Sequence, residues 1–155
     1  MKALVQRVSE ARVVVAGETV GAIGGGLLVY LGCERGDHGA FARALADRVL
    51  EYRMFTDETG RMGKSLVDVG GQLLVVSQFT LAADVTRGRR PDFSPAMAPG
   101  DARVLVEVFV ASCKERVHVE TGVFGADMKV SSVNDGPVTF LLEEPKPTRP
   151  GRASS

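Results

Sequence analysis

The chain has 155 residues, 45% of them hydrophobic and 25% charged, with 19 basic and 19 acidic side chains. That composition fits one globular domain, able to bury about 70% of the surface its unfolded chain exposes. A formal charge of zero excludes a protein that coats nucleic acid through overall basicity, so any such contact must be local.

The chain opens on short β-branched runs. ALVQRV and ARVVVAG read as two strands with Ser9 and Glu10 between them, and ETVGAIG follows after a turn at Gly17. GGGLLVYLGC is a continuous apolar run and suits a strand buried on both faces. DHGAFARALADRVLEYRMF predicts a first helix with Asp37 as N-cap, since Phe41, Leu45, Val49 and Tyr52 recur on one face. FTDETGRMG then turns the chain. GGQLLVVSQFTLAAD is the most apolar strand, ending at Asp84 before the arginine-rich loop TRGRRP and a Pro-rich connection. Asp101 is expected to cap a second helix, ARVLVEVFVASCKERV. Two final strands, ADMKVSSV and PVTFLLEE, precede a Pro/Arg/Ser-rich tail at residues 145–155 that reads as a flexible extension of the domain at residues 1–144.

Strands come in a run before the first helix, which argues for α+β rather than regular alternation. The expected architecture is two packed, barrel-like β-sheets with two helices covering one side. No apolar run approaches the roughly 18 residues of a membrane span. Lys2, Gln6, Arg7 and Glu10 break any signal-peptide core, so a cytoplasmic location with no membrane partner is expected. Cys33 and Cys113 read as two reduced, buried thiols. His38 and His118 have no ligand-spaced neighbours, so neither a metal nor a cofactor is expected.

Catalytic side chains are scarce. Ser77 and His118 exist, but no GxSxG elbow surrounds the serine. Thr80 and Cys33 are other conceivable nucleophiles, and neither has a base beside it in sequence. Gly21 to Gly26 contain phosphate-loop glycines but lack the Lys-Ser/Thr ending, and a tight hairpin is the better account. Arg87, Arg89 and Arg90 form either a solvated face or a local nucleic-acid contact. Two segments stand out. Ser77-Gln78-Phe79 ends an apolar strand, where exposed backbone donors can build an oxyanion-type site. VNDGPVTF, Val133 to Phe140, interrupts a strand with turn residues. It is either a simple turn or a rigid main-chain clamp, because Gly136 admits unusual backbone shapes and Pro137 a cis peptide bond.

SQFTL (Ser77–Leu81) and NDGPVTF (Asn134–Phe140) resemble the two signature motifs of the D-aminoacyl-tRNA deacylases. VQRVSEARV, GGGLLVYLG, GRRPDFS and FGADM are similar to further runs of that family, and the resemblance covers residues 1–144. Gly63 and Lys64 depart from it, so no role is carried to them. The resemblance implies a cytoplasmic homodimer that hydrolyses the ester between a D-amino acid and its tRNA and also clears mischarged glycine. It implies that Gly136 and Pro137 form a cis-proline motif inserted into the partner's active site. Backbone at Ser77, Gln78, Phe79 and Thr80 would carry the reaction, with the ribose 2′-hydroxyl assisting. The rival idea makes Thr80 a covalent nucleophile. Phe79 and Met128 would pack around the adenosine end, and Arg87, Arg89 and Arg90 would meet tRNA phosphates. Other readings are a relative acting on mischarged L-aminoacyl-tRNA, a non-catalytic module that binds a tRNA end or amino acid, and a structural dimer.

Overall fold

A computed structural model describes residues 1–148. In chain order the elements are β1 (Lys2–Val15), β2 (Glu18–Ile23), β3 (Gly26–Gly32), α1 (Gly39–Glu51), β4 (Phe55–Thr56), β5 (Met62–Lys64), α2 (Leu66–Val69), β6 (Gln72–Ser77), a 3-10 turn (Phe79–Ala82), α3 (Pro99–Lys114), β7 (Val119–Thr121) and β8 (Lys129–Glu143).

The expected strand pair ALVQRV and ARVVVAG is one strand, β1, with Ser9 and Glu10 exposed in its middle. Ala16 and Gly17 both take positive φ, 49° and 81°, the backbone that reverses a tight hairpin. The chain then returns along the whole of β1. Ile23 faces Ala11 and Gly26 faces Val8, so one register continues through β2 and β3. This corrects the reading of Gly21–Gly26 as a hairpin: Gly24 and Gly25 bend a single long strand. A Cβ on Gly26 would stand 1.8 Å from the carbonyl oxygen of Gln72, so the backbone of β6 approaches closely there.

β3, β6 and β7 are parallel neighbours, and β8 pairs with β1. The expected two packed sheets are therefore one six-stranded sheet, accompanied by the small β4–β5 pair. The sheet curls until β2 meets β7; a Cβ on Gly21 would lie 2.5 Å from the Thr121 carbonyl oxygen. Coiling of long strands brings these edges together, and strand patterning alone carries no signal of it. One cluster of buried residues includes Val8, Val13, Leu28 and Leu74. The larger core includes Leu45 and Val49 of α1, Phe109 and Cys113 of α3, and Leu27, Val29 and Val75 of the sheet.

There are three helices among the described residues, not two. The third, α2, has four residues, too few for a periodic pattern; its signal is a capping box between Ser65 and Asp68 and a left-handed Gly70. Asp37 does not cap α1. Its carboxylate accepts the Glu34 N–H (2.7 Å) and pairs with the Met1 ammonium (2.8 Å), leaving His38 as N-cap. Asp101 lies within the first turn of α3, which begins at Pro99. Of the tail cations, Arg149 and Arg152 lie outside the described residues.

Candidate active site

Parallel strands β3 and β6 end side by side, with Leu31 opposite Ser77. The carboxyl ends of parallel strands are where such sheets commonly hold ligands. Here they open into a cleft of about 970 Å³ between the sheet, the start of α3 and the segment around Phe124.

β6 stops because Gln78 turns away at φ −142°, ψ 81° and starts the 3-10 turn. The Gln78 N–H donates to the Leu31 carbonyl (2.8 Å), so it is not a free donor as expected. Phe79 and Thr80 follow at the head of the turn, where a helix leaves its N–H groups without internal partners. The Phe79 ring is 62% exposed and packs against Phe93 with centroids 5.1 Å apart. Ser77, Gln78, Phe79 and Met128 all line the cleft. Thr80 does not; its exposed hydroxyl accepts from the Gln78 side-chain amide.

The conventional nucleophiles fare poorly. The His118 carbonyl accepts the Leu73 N–H, four residues below Ser77 on β6, which puts the two residues about 13 Å apart along the sheet. Cys33 lines the cleft but is 5% exposed, and burial pushes its thiol up to about 11, with Asp37 adding and the N-terminal ammonium opposing. Among the described residues no cluster of His, Cys, Asp or Glu could hold a metal.

Arg87, Arg89 and Arg90 are exposed in a loop outside the cleft lining. Asp84 and Asp92 close its base through reciprocal backbone hydrogen bonds of 2.8 and 3.0 Å.

The Gly136–Pro137 bond is cis. β8 is the expected last two strands joined: Asn134 faces Val8 and Thr139 faces Gln6, so residues 135–138 arch out opposite a single residue, Arg7. Arg7 holds the arch. Its Nε donates to the Asp135 carbonyl (3.1 Å) and its guanidinium also donates to the Met54 carbonyl (2.8 Å). Asn134 Oδ1 accepts the Val138 N–H (3.1 Å) from within the arch. Gly136 has φ +131°, and a Cβ there would lie 2.8 Å from Val138 Cγ2 and 3.0 Å from an Arg7 nitrogen. Gly136 and Pro137 are exposed and do not line their own chain's cleft. Sequence reasoning missed Arg7 as the holder of this arch; its signal was a cation inside the apolar run ALVQRV.

An apolar cleft at a strand end, with main-chain donors and an exposed aromatic at its rim, defines an α+β protein that binds a small group. The chain belongs to the family described as D-Tyr-tRNA(Tyr) deacylase, whose model matches residues 4–143. It is 59% identical over 144 residues to a D-aminoacyl-tRNA deacylase of Shewanella pealeana, covering 92% of this chain and 99% of the relative. It is 57% identical over 148 residues to one of Thioalkalivibrio sulfidiphilus, covering 95% and 99%. A solved structure titled c-Myc DNA Unwinding Element Binding Protein is 40% identical, with a TM-score of 0.89 over 94% of this chain and 99% of that one. A probable eukaryotic D-amino acid tRNA deacylase shares the fold at 18% identity and a TM-score of 0.77, over 91% and 97%.

Proposed function

We propose that this protein hydrolyses the ester joining a D-amino acid to the terminal adenosine of tRNA. The observation that carries the reading is the Ser77–Phe79 strand end, where main chain rather than a side-chain couple faces a cleft of about 970 Å³, with room for an amino acid and its adenosine together. The relatives named D-aminoacyl-tRNA deacylase support it.

An aminoacyl ester is already activated, so little side-chain chemistry is required. Water adds to the ester carbonyl, and the oxyanion forms against the Phe79 N–H at the head of the turn. The ribose 2′-hydroxyl positions the water. Collapse breaks the bond to the ribose 3′-oxygen, which takes a proton as the free amino acid departs. Phe79 and Met128 flank the adenosine, and Arg87, Arg89 and Arg90 meet phosphates further along the tRNA.

The protein acts as a cytoplasmic homodimer, with Gly136 and Pro137 of the partner subunit at each cleft. The exposed, braced arch outside its own cleft supports this. Carbonyl oxygens set where an L side chain must go exclude it, while a D side chain points away. Glycine, having no side chain, passes, so glycyl-tRNA is cleared as well. Residues 1–144 form the catalytic domain.

The test is release of amino acid from D-tyrosyl-, L-tyrosyl- and glycyl-tRNA. D-tyrosyl- and glycyl-tRNA should be hydrolysed and L-tyrosyl-tRNA should stay at background. Equal rates for both enantiomers would remove the selector. Tight binding of a D-aminoacyl analogue with no turnover of any ester would make the protein a binding module.

A further inference from the structure

A second, smaller cleft of about 400 Å³ lies between α3 and the carboxyl ends of β6 and β7. It shares Ser77, Val106 and Phe124 with the main cleft, so a strand leaving one has a continuous wall into the other. Arg103 and Lys114 stand at its two ends, three turns apart on α3, about 16 Å at 1.5 Å per residue. Among the described residues neither takes part in an ion pair, whereas neighbouring Arg116 is held by Glu51 and Asp47. The Arg103 guanidinium lies over the Phe124 ring, 5.0 Å from its centroid. Glu107 lines the cleft one turn beyond Arg103.

We infer that this second cleft is a subsite for the cytidine nucleotide that precedes the terminal adenosine at the RNA 3′ end. The inference rests on the proposal that the adenosine occupies the main cleft. The volume falls within the range of small-ligand sites, roughly 300–1,000 Å³, and suits one nucleotide. Single-stranded RNA is bound by stacking on aromatic and guanidinium planes and by hydrogen bonds to base edges, and Arg103 over Phe124 supplies such a platform. Two cations without an ion pair among the described residues, one at each end of the cleft, suit the flanking phosphates. A carboxylate between them repels phosphate, but it accepts from the N4 amino group of cytosine, which uracil lacks. The loop of Arg87, Arg89 and Arg90 lines neither cleft. The single-stranded end therefore leaves along α3, and that loop meets phosphates beyond it.

Titrating the full-length protein with the trinucleotide CpCpA, with UpUpA and with adenosine, which carries neither flanking phosphate, tests this. CpCpA should bind about tenfold more tightly than adenosine. The pair Arg103→Ala and Lys114→Ala should abolish that advantage without changing adenosine affinity, which also reports an intact fold. The slope of log affinity against log salt should fall by about 1.4, two single-strand phosphate contacts at about 0.7 each. Glu107→Ala should erase the preference of CpCpA over UpUpA. Equal binding of CpCpA and adenosine by the unaltered protein, or an undiminished advantage in the double variant, overturns the subsite. Hydrolysis of D-tyrosyl-tRNA is followed alongside: its absence ends the deacylase reading, and the trinucleotide comparison still judges the subsite.

Discussion

Phe79 carries two separable groups, an exposed ring and an N–H at the head of a 3-10 turn. Phe79→Ala removes only the ring, whereas Phe79→Pro also removes the N–H, at a position where helices tolerate proline. With the oxyanion held there, kcat for the proline variant should fall about 10²–10³ below that of the alanine variant. Equal kcat values would move the oxyanion elsewhere. Thr80→Ala should retain activity within about threefold, because its hydroxyl lies outside the cleft and is taken by the Gln78 amide. Loss of all turnover in a folded Thr80→Ala protein would restore the nucleophile. Arg7→Ala leaves the exposed Asp135 carbonyl and the part-buried Met54 carbonyl without their donor, a cost of about 1 kcal/mol that urea denaturation would read. The ratio of D- to L-ester hydrolysis should fall with it. Arg7→Lys should rescue little, since a point ammonium cannot reproduce the planar fork.

α3 and the end of β3 each bury a thiol that the mechanism does not use. Burial pushes Cys33 up to about 11 and Cys113 up to about 12, from an ordinary 9.0. The unfolded chain therefore loses these protons first. The stability these two thiols contribute is at its full value below pH 9.0, falls as pH rises above it, and levels off beyond about 12. Tyr30, raised by burial, acts in the same direction. Urea midpoints of the protein and of a Cys33→Ala/Cys113→Ala variant should both drop on alkalinisation, the variant less steeply. An equal drop would assign the effect to other groups. These elements also show what sequence reading reaches. The α1 stripe holds for Leu45 and Val49, which are fully buried, but Tyr52 lies past the helix end and is 40% exposed. β7, three residues long, went unseen because its place is set by parallel pairing with β6 and not by its own pattern. Ser77 to Thr80 were legible as a strand end. Which amide stays free was not, because that depends on Leu31, a partner 47 residues earlier on a different strand.

At the scale of the assembly, light scattering should give about twice the 16.5 kDa chain mass. Mixed dimers, isolated with two affinity tags from cells making Gly136→Val and Phe79→Pro subunits, sharpen the point. Each would contain one cleft with an unaltered Ser77–Thr80 turn served by an unaltered arch from the other subunit. Such dimers should recover about half of native activity, with full discrimination between enantiomers. No recovery would mean that the arch serves its own subunit or none.

The arch of β8 is footed at both ends on one strand, Asn134 against Val8 and Thr139 against Gln6, with Arg7 as the keystone between. Neither foot can drift without the other, so the tip inherits its coordinates from β1, whose Val5 and Val13 are wholly enclosed. A disturbance deep beneath that first strand would therefore be transmitted to a point on the rim that it never touches.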